Sequence, residues 1–411
     1  MKLWFAIPLW KRVVAALVLG GVTGAFVGPE IASIKWVGDL FIRSIKMLVV
    51  PLIFFSLVSG IAAIGDINRF GKVGTRALFL FLSTGLVSIV IGLGLGYFFA
   101  PGLGLSLSPP SGAASVVQTP PSVTDMVLAM VPENPVGAMA NGEILPLILF
   151  STLIGIGLLQ AGKEAASVQK IFDGGNIIMQ KVTMLIMELT PFGVFALIAW
   201  VAGTMGMDAI LPLIKVVVLI YAGCAIMLLA VYPLMVKGIA QLPVLTFYRG
   251  VVDAQAIAFS TSSSSATLPV TLRCVRENLG VSKSVGSFVA ALGATINMNG
   301  TAVYLGVVTL FGAQIFGVDL SAGDYVLIAI TSTLGAIGAA GIPGAGLIMM
   351  SLVFSSVGVP LETIALIAGI DRILDMARTA TNVTGDAIAA VVVAKMVDEI
   401  DVTTYRAPNT A

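Results

Sequence analysis

The sequence predicts an all-α membrane protein whose helices cross the bilayer and in which two helical hairpins enter it and return. Three observations carry this. The 411 residues are 58% hydrophobic and 10% charged, where a soluble globular chain carries about 25% charged residues, and the mean hydropathy is +1.05. The apolar segments are long enough for helices, about 20 residues per span, and lack the alternating pattern of a membrane barrel. Two further apolar segments are broken midway by clusters of Ser, Gly and Pro.

The elements follow in order. Residues 1–100 hold three helices, at about 11–28, 33–64 and 73–100. The first apolar run follows Lys2, Lys11 and Arg12 and could imitate a signal peptide, but "GPEIASIKW" offers no small-residue cleavage pattern, so a retained helix is expected. Residues 101–142, rich in Pro, Ser and Gly, form an extended extracellular loop with short helical pieces. Residues 143–237 hold helices four to six, near 143–161, 168–204 and 209–237. Basic residues cluster at Arg69, Lys72 and Arg76, at Lys163, Lys170 and Lys181, and at Lys237 and Arg249, with none between helices three and four. The positive-inside rule then puts the N-terminus, and with it the C-terminal tail 398–411, in the cytoplasm of a multi-pass cell-membrane protein. Net charge is +1, which sets up no field for nucleic acid; there is no His to shuttle protons or bind metal; Cys224 and Cys274 lie in no motif and are expected as free thiols.

Residues 244–275 and 324–358 are the hairpins. In the first, "STSSSSATLP" interrupts apolar flanks; in the second, the interruption runs from Gly338 to Gly346. Irregular backbone at membrane depth is tolerated where protein buries it or where it lines a cavity, so both tips should face one. Arg273, Arg276 and Lys283 follow the first hairpin, whereas no Lys or Arg occurs between Ser284 and Asp371. The hairpins should therefore enter from opposite sides. Each is followed by a long helix, at 280–316 and 360–397. Two such units in opposite orientation are an inverted repeat, a pattern of secondary transporters.

The last helix carries Asp371, Asp375, Arg378, Asn382 and Asp386 at spacings of 4, 3, 4 and 4, which keeps them on one face. A charge at the bilayer centre costs about 2.5–3.5 kcal/mol on insertion scales. One reading is an ion-pair network that glues helices together; the other is a ligand site facing the broken hairpins. Arg378 offers a planar fork for a carboxylate and Asp375 a fixed negative charge for an ammonium. Asp386 and Asn382 offer hard oxygens for a small cation, and free N–H groups at half-helix ends suit a second carboxylate. One amine and two carboxylates describe an acidic amino acid. A channel with the stripe as selectivity ring is a competing reading. An intramembrane hydrolase would need a base beside the serines, and the chain has no His.

"TSSSSATLP", "GATINMNGT", "GAAGIPGAG" and "DMARTATNVTGD" resemble the segments that mark the glutamate and aspartate transporters, the dicarboxylate/amino acid:cation symporters that include archaeal aspartate transporters and excitatory amino acid transporters. The resemblance covers nearly the whole chain and is most specific from Ala254 to Val393. It implies eight membrane helices plus the two hairpins, a homotrimer, and a sliding transport part on a scaffold. Helices one, two, four and five would be mainly scaffold, and helices three and six mainly transport part. It implies a symporter, not an enzyme, with sodium as coupling ion and no organic cofactor. Residue by residue, it implies that Arg378 with Thr301 holds the substrate's side-chain carboxylate, Asp375 with Thr379 its ammonium, and Asn382 with Ser264 its main-chain carboxylate. Backbone around Ile342 and Gly346 would close as a gate. Dicarboxylate carriers of the family lack an Asp at the Asp375 position and neutral amino acid carriers lack the Arg at Arg378, so aspartate or glutamate is expected. One sodium would use Asp386, Asn382 and carbonyls of Gly293 and Asn297; a second would use carbonyls of Thr295, Met298, Ala336, Ile337 and Ala339.

The chain departs from the family's pattern at "NMNGT", where members commonly carry Asp in place of Asn299. That acid belongs to a third sodium site, which also draws hydroxyls from a Thr-Ser pair that aligns here with Thr84 and Gly85. A weakened or missing third site is expected. Family members also carry an Arg at the position of Ser262 or of Met376; this chain has neither, although Arg372 is one turn away. A proton-coupled carrier of acidic amino acids or C4-dicarboxylates is the alternative, with Asp371, Asp375 and Asp386 the plausible proton carriers.

Overall fold

The computed structural model describes residues 7, 9–62, 67–105, 131–205, 210–338, 341 and 343–407. Helices dominate, and among these residues the only strand-like pairing is an isolated antiparallel bridge between Val281 and Ile400. In chain order α1 is Leu9–Val27, followed by a 3₁₀ segment Gly28–Ile34; α2 is Lys35–Ala62 and α3 Ile67–Phe99. Within the expected extracellular loop, α4 spans Pro135–Asn141. Asn134 caps it by accepting from the N–H groups of Val136 and Gly137, Pro135 supplies the first turn, and Gly142 ends it at φ +71°. The segment 106–130 lies outside the described residues.

Then come α5, Ile144–Ala161, α6, Ala166–Met187, and α7, Thr190–Met205. The single helix expected over 168–204 is thus two, broken at Glu188–Leu189. Pro191 falls in the first turn of α7, where its missing N–H costs nothing, and Glu188 at the break pairs with the buried Arg12 of α1 (2.7 Å). The sixth expected helix is α8, Ile210–Ile226, prolonged to Ile239 through two π-helical turns that flank Tyr232–Leu234. Pro233 withholds a backbone N–H there, and the wider turns accommodate it.

Each hairpin expected from sequence is a helix–break–helix unit. The first is α9, Val244–Thr261, and α10, Ser264–Arg273; the second is α13, Ala322–Gly338, and α14, Ala345–Ser356. Their tips touch, because the Gly341 carbonyl accepts from the Ser263 hydroxyl (2.8 Å) and the Ser265 N–H (2.9 Å). Between them run α11, Lys283–Ile296, and α12, Asn299–Phe316, separated by Asn297 and Met298. The segment expected at 360–397 is α15, Thr363–Ala368, and α16, Asp371–Met396, with a short α17, Val402–Arg406, in the tail.

The pattern of exposure is that of a membrane protein. Large apolar side chains stand exposed along α1 (Leu19, Phe26), α3 (Phe79, Phe98) and α8 (Val218, Leu229), whereas a soluble monomer rarely exposes large contiguous apolar patches. By length and hydropathy, four continuous segments among the described residues qualify as spans: Lys11–Phe41, Gly71–Phe99, Leu211–Ile239 and Lys283–Phe316. By contrast α16, with its charged residues, is buried along most of its length, as is α12. Helices α1, α2, α5, α6 and α7 pack on one another, while α3, α9, α11 and α12 surround α16. The polar helix is therefore the axis of the second group, not part of the lipid-facing surface. Both cysteines are free and buried.

Candidate functional site

Asp371, Asp375, Arg378, Asn382 and Asp386 are all buried, and Arg378 has no exposed surface. The Arg378 guanidinium lies 4.0 Å over the Tyr304 ring of α12. Asp371 and Asp375 approach it at 3.1 and 2.9 Å. These are ion-pair distances without hydrogen-bond alignment: none of its three nitrogens has an aligned acceptor. A buried guanidinium normally has its donors met, so five N–H groups are poised here for an acceptor of better geometry. Two parallel bonds from such a fork are what a carboxylate accepts.

The second unit roofs this site. A Cβ on Gly346 would stand 2.2 Å from Arg378 Nη1, so α14 begins directly against the guanidinium. The Gly344 N–H donates to Asp375 Oδ2 (2.9 Å), and the Thr379 hydroxyl donates to Asp375 Oδ1 (3.3 Å). On the other side, the first N–H groups of α12 face Asn382, whose Oδ1 accepts from the Gly300 N–H (2.7 Å) and whose Nδ2 donates to the Thr301 hydroxyl (3.4 Å). The structure thus brings together Thr301, Gly346, Asp375, Arg378, Thr379 and Asn382. Ser264 is buried at the start of α10, beside the tip contact with Gly341. Ile342 lies outside the described residues.

The expected cation ligands fall below this layer. Asp386 Oδ1 accepts from Asn297 Nδ2 (3.1 Å), and a Cβ on Gly293 would stand 2.6 Å from the same oxygen, so Gly293, Asn297 and Asp386 are in contact. Thr295 and Met298 flank the break between α11 and α12. Ala336 and Ile337 fall in the last turn of α13, and Ala339 lies outside the described residues. No group of three or more Asp, Glu, His or Cys side chains forms a metal cage among the described residues. The donors here are one carboxylate, amides and carbonyls, hard oxygens of low total charge.

Asn299 sits in a third cluster. Its Nδ2 donates to Tyr232 Oη (3.0 Å), whose own hydroxyl donates to the Thr381 carbonyl (3.0 Å). Its Oδ1 is buried without a partner. The Thr84 hydroxyl donates to Asn297 Oδ1 (3.4 Å), not to Asn299. Sequence reasoning missed Tyr232 and Tyr304. A Tyr-Pro pair in an apolar run was the available signal for the first; nothing local marks the second. Arg372 also finds a place: its Nη2 donates to the Thr261 carbonyl (3.2 Å), so a guanidinium does reach the first tip, beside Ser262.

A buried charged stripe under two touching helix–break–helix tips, in a lipid-facing shell, defines a membrane transporter. A family model described as the sodium:dicarboxylate symporter family matches residues 9–396, and the chain belongs to that family. It is 34% identical over 402 residues to the proton/sodium-glutamate symport protein of Geobacillus stearothermophilus, covering 95% of this chain and 94% of that one. It is 35% identical over 408 residues to the proton/glutamate-aspartate symporter of Escherichia coli (strain K12), covering 95% and 93%. It is also 34% identical over 400 residues to the C4-dicarboxylate transport protein of Bacillus subtilis (strain 168), covering 96% and 94%. The family's members are symporters, not enzymes.

Proposed function

We propose that the protein is a sodium-coupled symporter of an acidic amino acid, aspartate or glutamate. The observation that carries this is the Arg378–Asp375 pair: a buried fork with unaligned donors, 2.9 Å from a carboxylate. One can grip a carboxylate and the other an ammonium. Arg378 and Asp375 neutralise each other's charge, so a zwitterionic ligand would replace this internal ion pair with two external ones. Thr301 and Thr379 add hydroxyls to those two grips, Asn382 and Ser264 take the main-chain carboxylate, and the backbone at Ile342–Gly346 closes over it.

Sodium is the favoured coupling ion because Asp386 is held by Asn297 and Gly293, with Asn382 one turn away, among hard oxygens; the carbonyls of Thr295, Met298, Ala336, Ile337 and Ala339 make the second position. At the third, Asn299 offers one neutral oxygen where a carboxylate would offer two charged ones, so with Thr84 it makes a weakened site. The two tip units are read as re-entrant hairpins of opposite orientation among eight spanning helices, with both termini cytoplasmic. The two packing groups are read as scaffold and sliding transport part of a homotrimer.

A second reading, proton coupling or a C4-dicarboxylate substrate, draws on the names of relatives. Asp375 speaks against the dicarboxylate, which has no ammonium to neutralise it. Calorimetric titration of the purified protein with aspartate, glutamate and succinate, with and without sodium, tests the reading. It predicts sodium-dependent binding of an acidic amino acid; succinate binding as tight as aspartate would contradict it.

A further inference from the structure

The tail after α16 is tied to the first hairpin at several points. Asp398, at φ +56°, turns the chain back. Residues 399–401 then pair antiparallel with residues 280–282: the Ser282 N–H donates to the Glu399 carbonyl (3.0 Å) and the Asp401 N–H to the Gly280 carbonyl (2.7 Å). Gly280 is at φ +65°, and a Cβ there would stand 2.3 Å from the Asp401 carbonyl oxygen, so only glycine permits this approach. The Glu399 carboxylate accepts from the hydroxyls of Ser282 and Ser284. Tyr405 is fully buried and donates to the Pro243 carbonyl (3.0 Å). Pro243 precedes α9, and residues 280–282 follow the exit from α10. The tail therefore grips both feet of the hairpin.

The arms are tied to each other above that grip. Arg273 pairs with Asp253 (2.9 Å), and Asn278 Nδ2 donates to the Gly250 carbonyl (2.9 Å). The Arg76 guanidinium of α3 holds the Met396 carbonyl at the end of α16 (2.6 Å). A helical hairpin can open at its tip only if its arms splay or its base tilts, and these bonds oppose both.

We infer that Glu399, Asp401 and Tyr405 are positioning residues: the tail is a clasp that fixes the feet of the first hairpin and keeps its tip, Ser262–Ser265, seated against Gly341. The clasp itself rests on the bonds above; its bearing on transport rests on the transporter reading. It stays shut through the transport cycle.

The test uses the full-length protein in proteoliposomes, with Ser262→Cys as a reporter; the Ser262 side chain is buried in the intact tip. The rate of its labelling by a hydrophilic thiol reagent is compared in three backgrounds, with Cys224 and Cys274 giving the parent's own rate. Removal of residues 398–411 is expected to raise the labelling rate at least tenfold, and Tyr405→Phe, which deletes one hydroxyl and little packing, severalfold. A disulfide between Val281→Cys and Ile400→Cys, whose antiparallel pairing brings the β-carbons to about 5 Å, is expected to leave both labelling and uptake within twofold of the reduced form. Unchanged labelling in the truncated protein and in Tyr405→Phe would overturn the clasp, as would loss of uptake on closing the disulfide. Labelling does not depend on transport, so a parent protein that failed to transport would count against the transporter reading and leave this test intact.

Discussion

Gly346 and Arg378 are in van der Waals contact from backbone to guanidinium: a methyl group on Gly346 would lie 2.2 Å from Nη1. The roof of the site is therefore set by the absence of a side chain. Gly346→Ala keeps helical backbone geometry, because the position is not at positive φ, but holds α14 away from the site. We predict a protein that still folds but loses about 1–3 kcal/mol of stability to overpacking, and that loses at least tenfold in substrate affinity by calorimetry.

Arg378→Lys tests the fork. A lysine keeps the charge but not the two parallel bonds. A hydrogen bond to a charged group is worth about 1.5–3 kcal/mol, so affinity for aspartate should fall roughly 10- to 100-fold. Arg378→Ala is different in kind: it leaves Asp371 and Asp375 buried without their counter-charge, and breaking such a pair costs about 3–5 kcal/mol. Thermal unfolding in detergent should show that loss in the alanine variant and much less of it in the lysine variant.

Asp375→Asn separates the two grips. The ammonium loses its partner while the carboxylate fork remains. Aspartate affinity should fall by more than succinate affinity, so that the ratio of the two constants moves toward the dicarboxylate. A ratio that does not move would remove the ammonium from Asp375.

The tail gives a pH prediction. Hydroxyls of Ser282 and Ser284 hold the Glu399 carboxyl below its usual range, and those of Thr403 and Thr404, with the Thr403 N–H, lower Asp401 to about 2. A depressed folded pKa contributes stability above the unfolded value and loses it as pH falls through the folded one. The clasp should therefore be indifferent to pH from 8 down to about 5 and loosen only below about 4, toward 2. Hydrogen exchange of the Ser282 and Asp401 amides, corrected for intrinsic rates, reads this directly.

The charged stripe was legible because helical periodicity is a local property: spacings of 3 and 4 put Asp371 through Asp386 on one face whatever packs there. The break at Asn297–Met298 and both tips were legible because Gly, Pro and Ser interrupt apolar runs. What packs across elements was not. Arg378 meeting Asp371 and Tyr304, and Asn299 meeting Tyr232, depend on how α12, α16 and α8 are set against each other. The break at Glu188 was hidden because Pro191 is as compatible with a first turn as with a kink, and only the Arg12 partner across the interface marks it. The clasp was invisible because a single backbone bridge leaves no periodic trace.

Asn299 is where the coupling is most exposed to test. Asn299→Asp would place a carboxylate beside Tyr232 and close to Asn297, and sodium dependence of uptake should become steeper. The variant and its parent belong in one experiment.

That experiment is uptake of labelled aspartate and glutamate into proteoliposomes with sodium and proton gradients imposed separately. Each coupled charge contributes about 2.3 kcal/mol per 100 mV, roughly a 50-fold accumulation. Uptake is expected to be concentrative, to follow the sodium gradient, to ignore the proton gradient, and to gain sodium steepness in Asn299→Asp. Uptake that follows the proton gradient and persists without sodium would contradict sodium coupling.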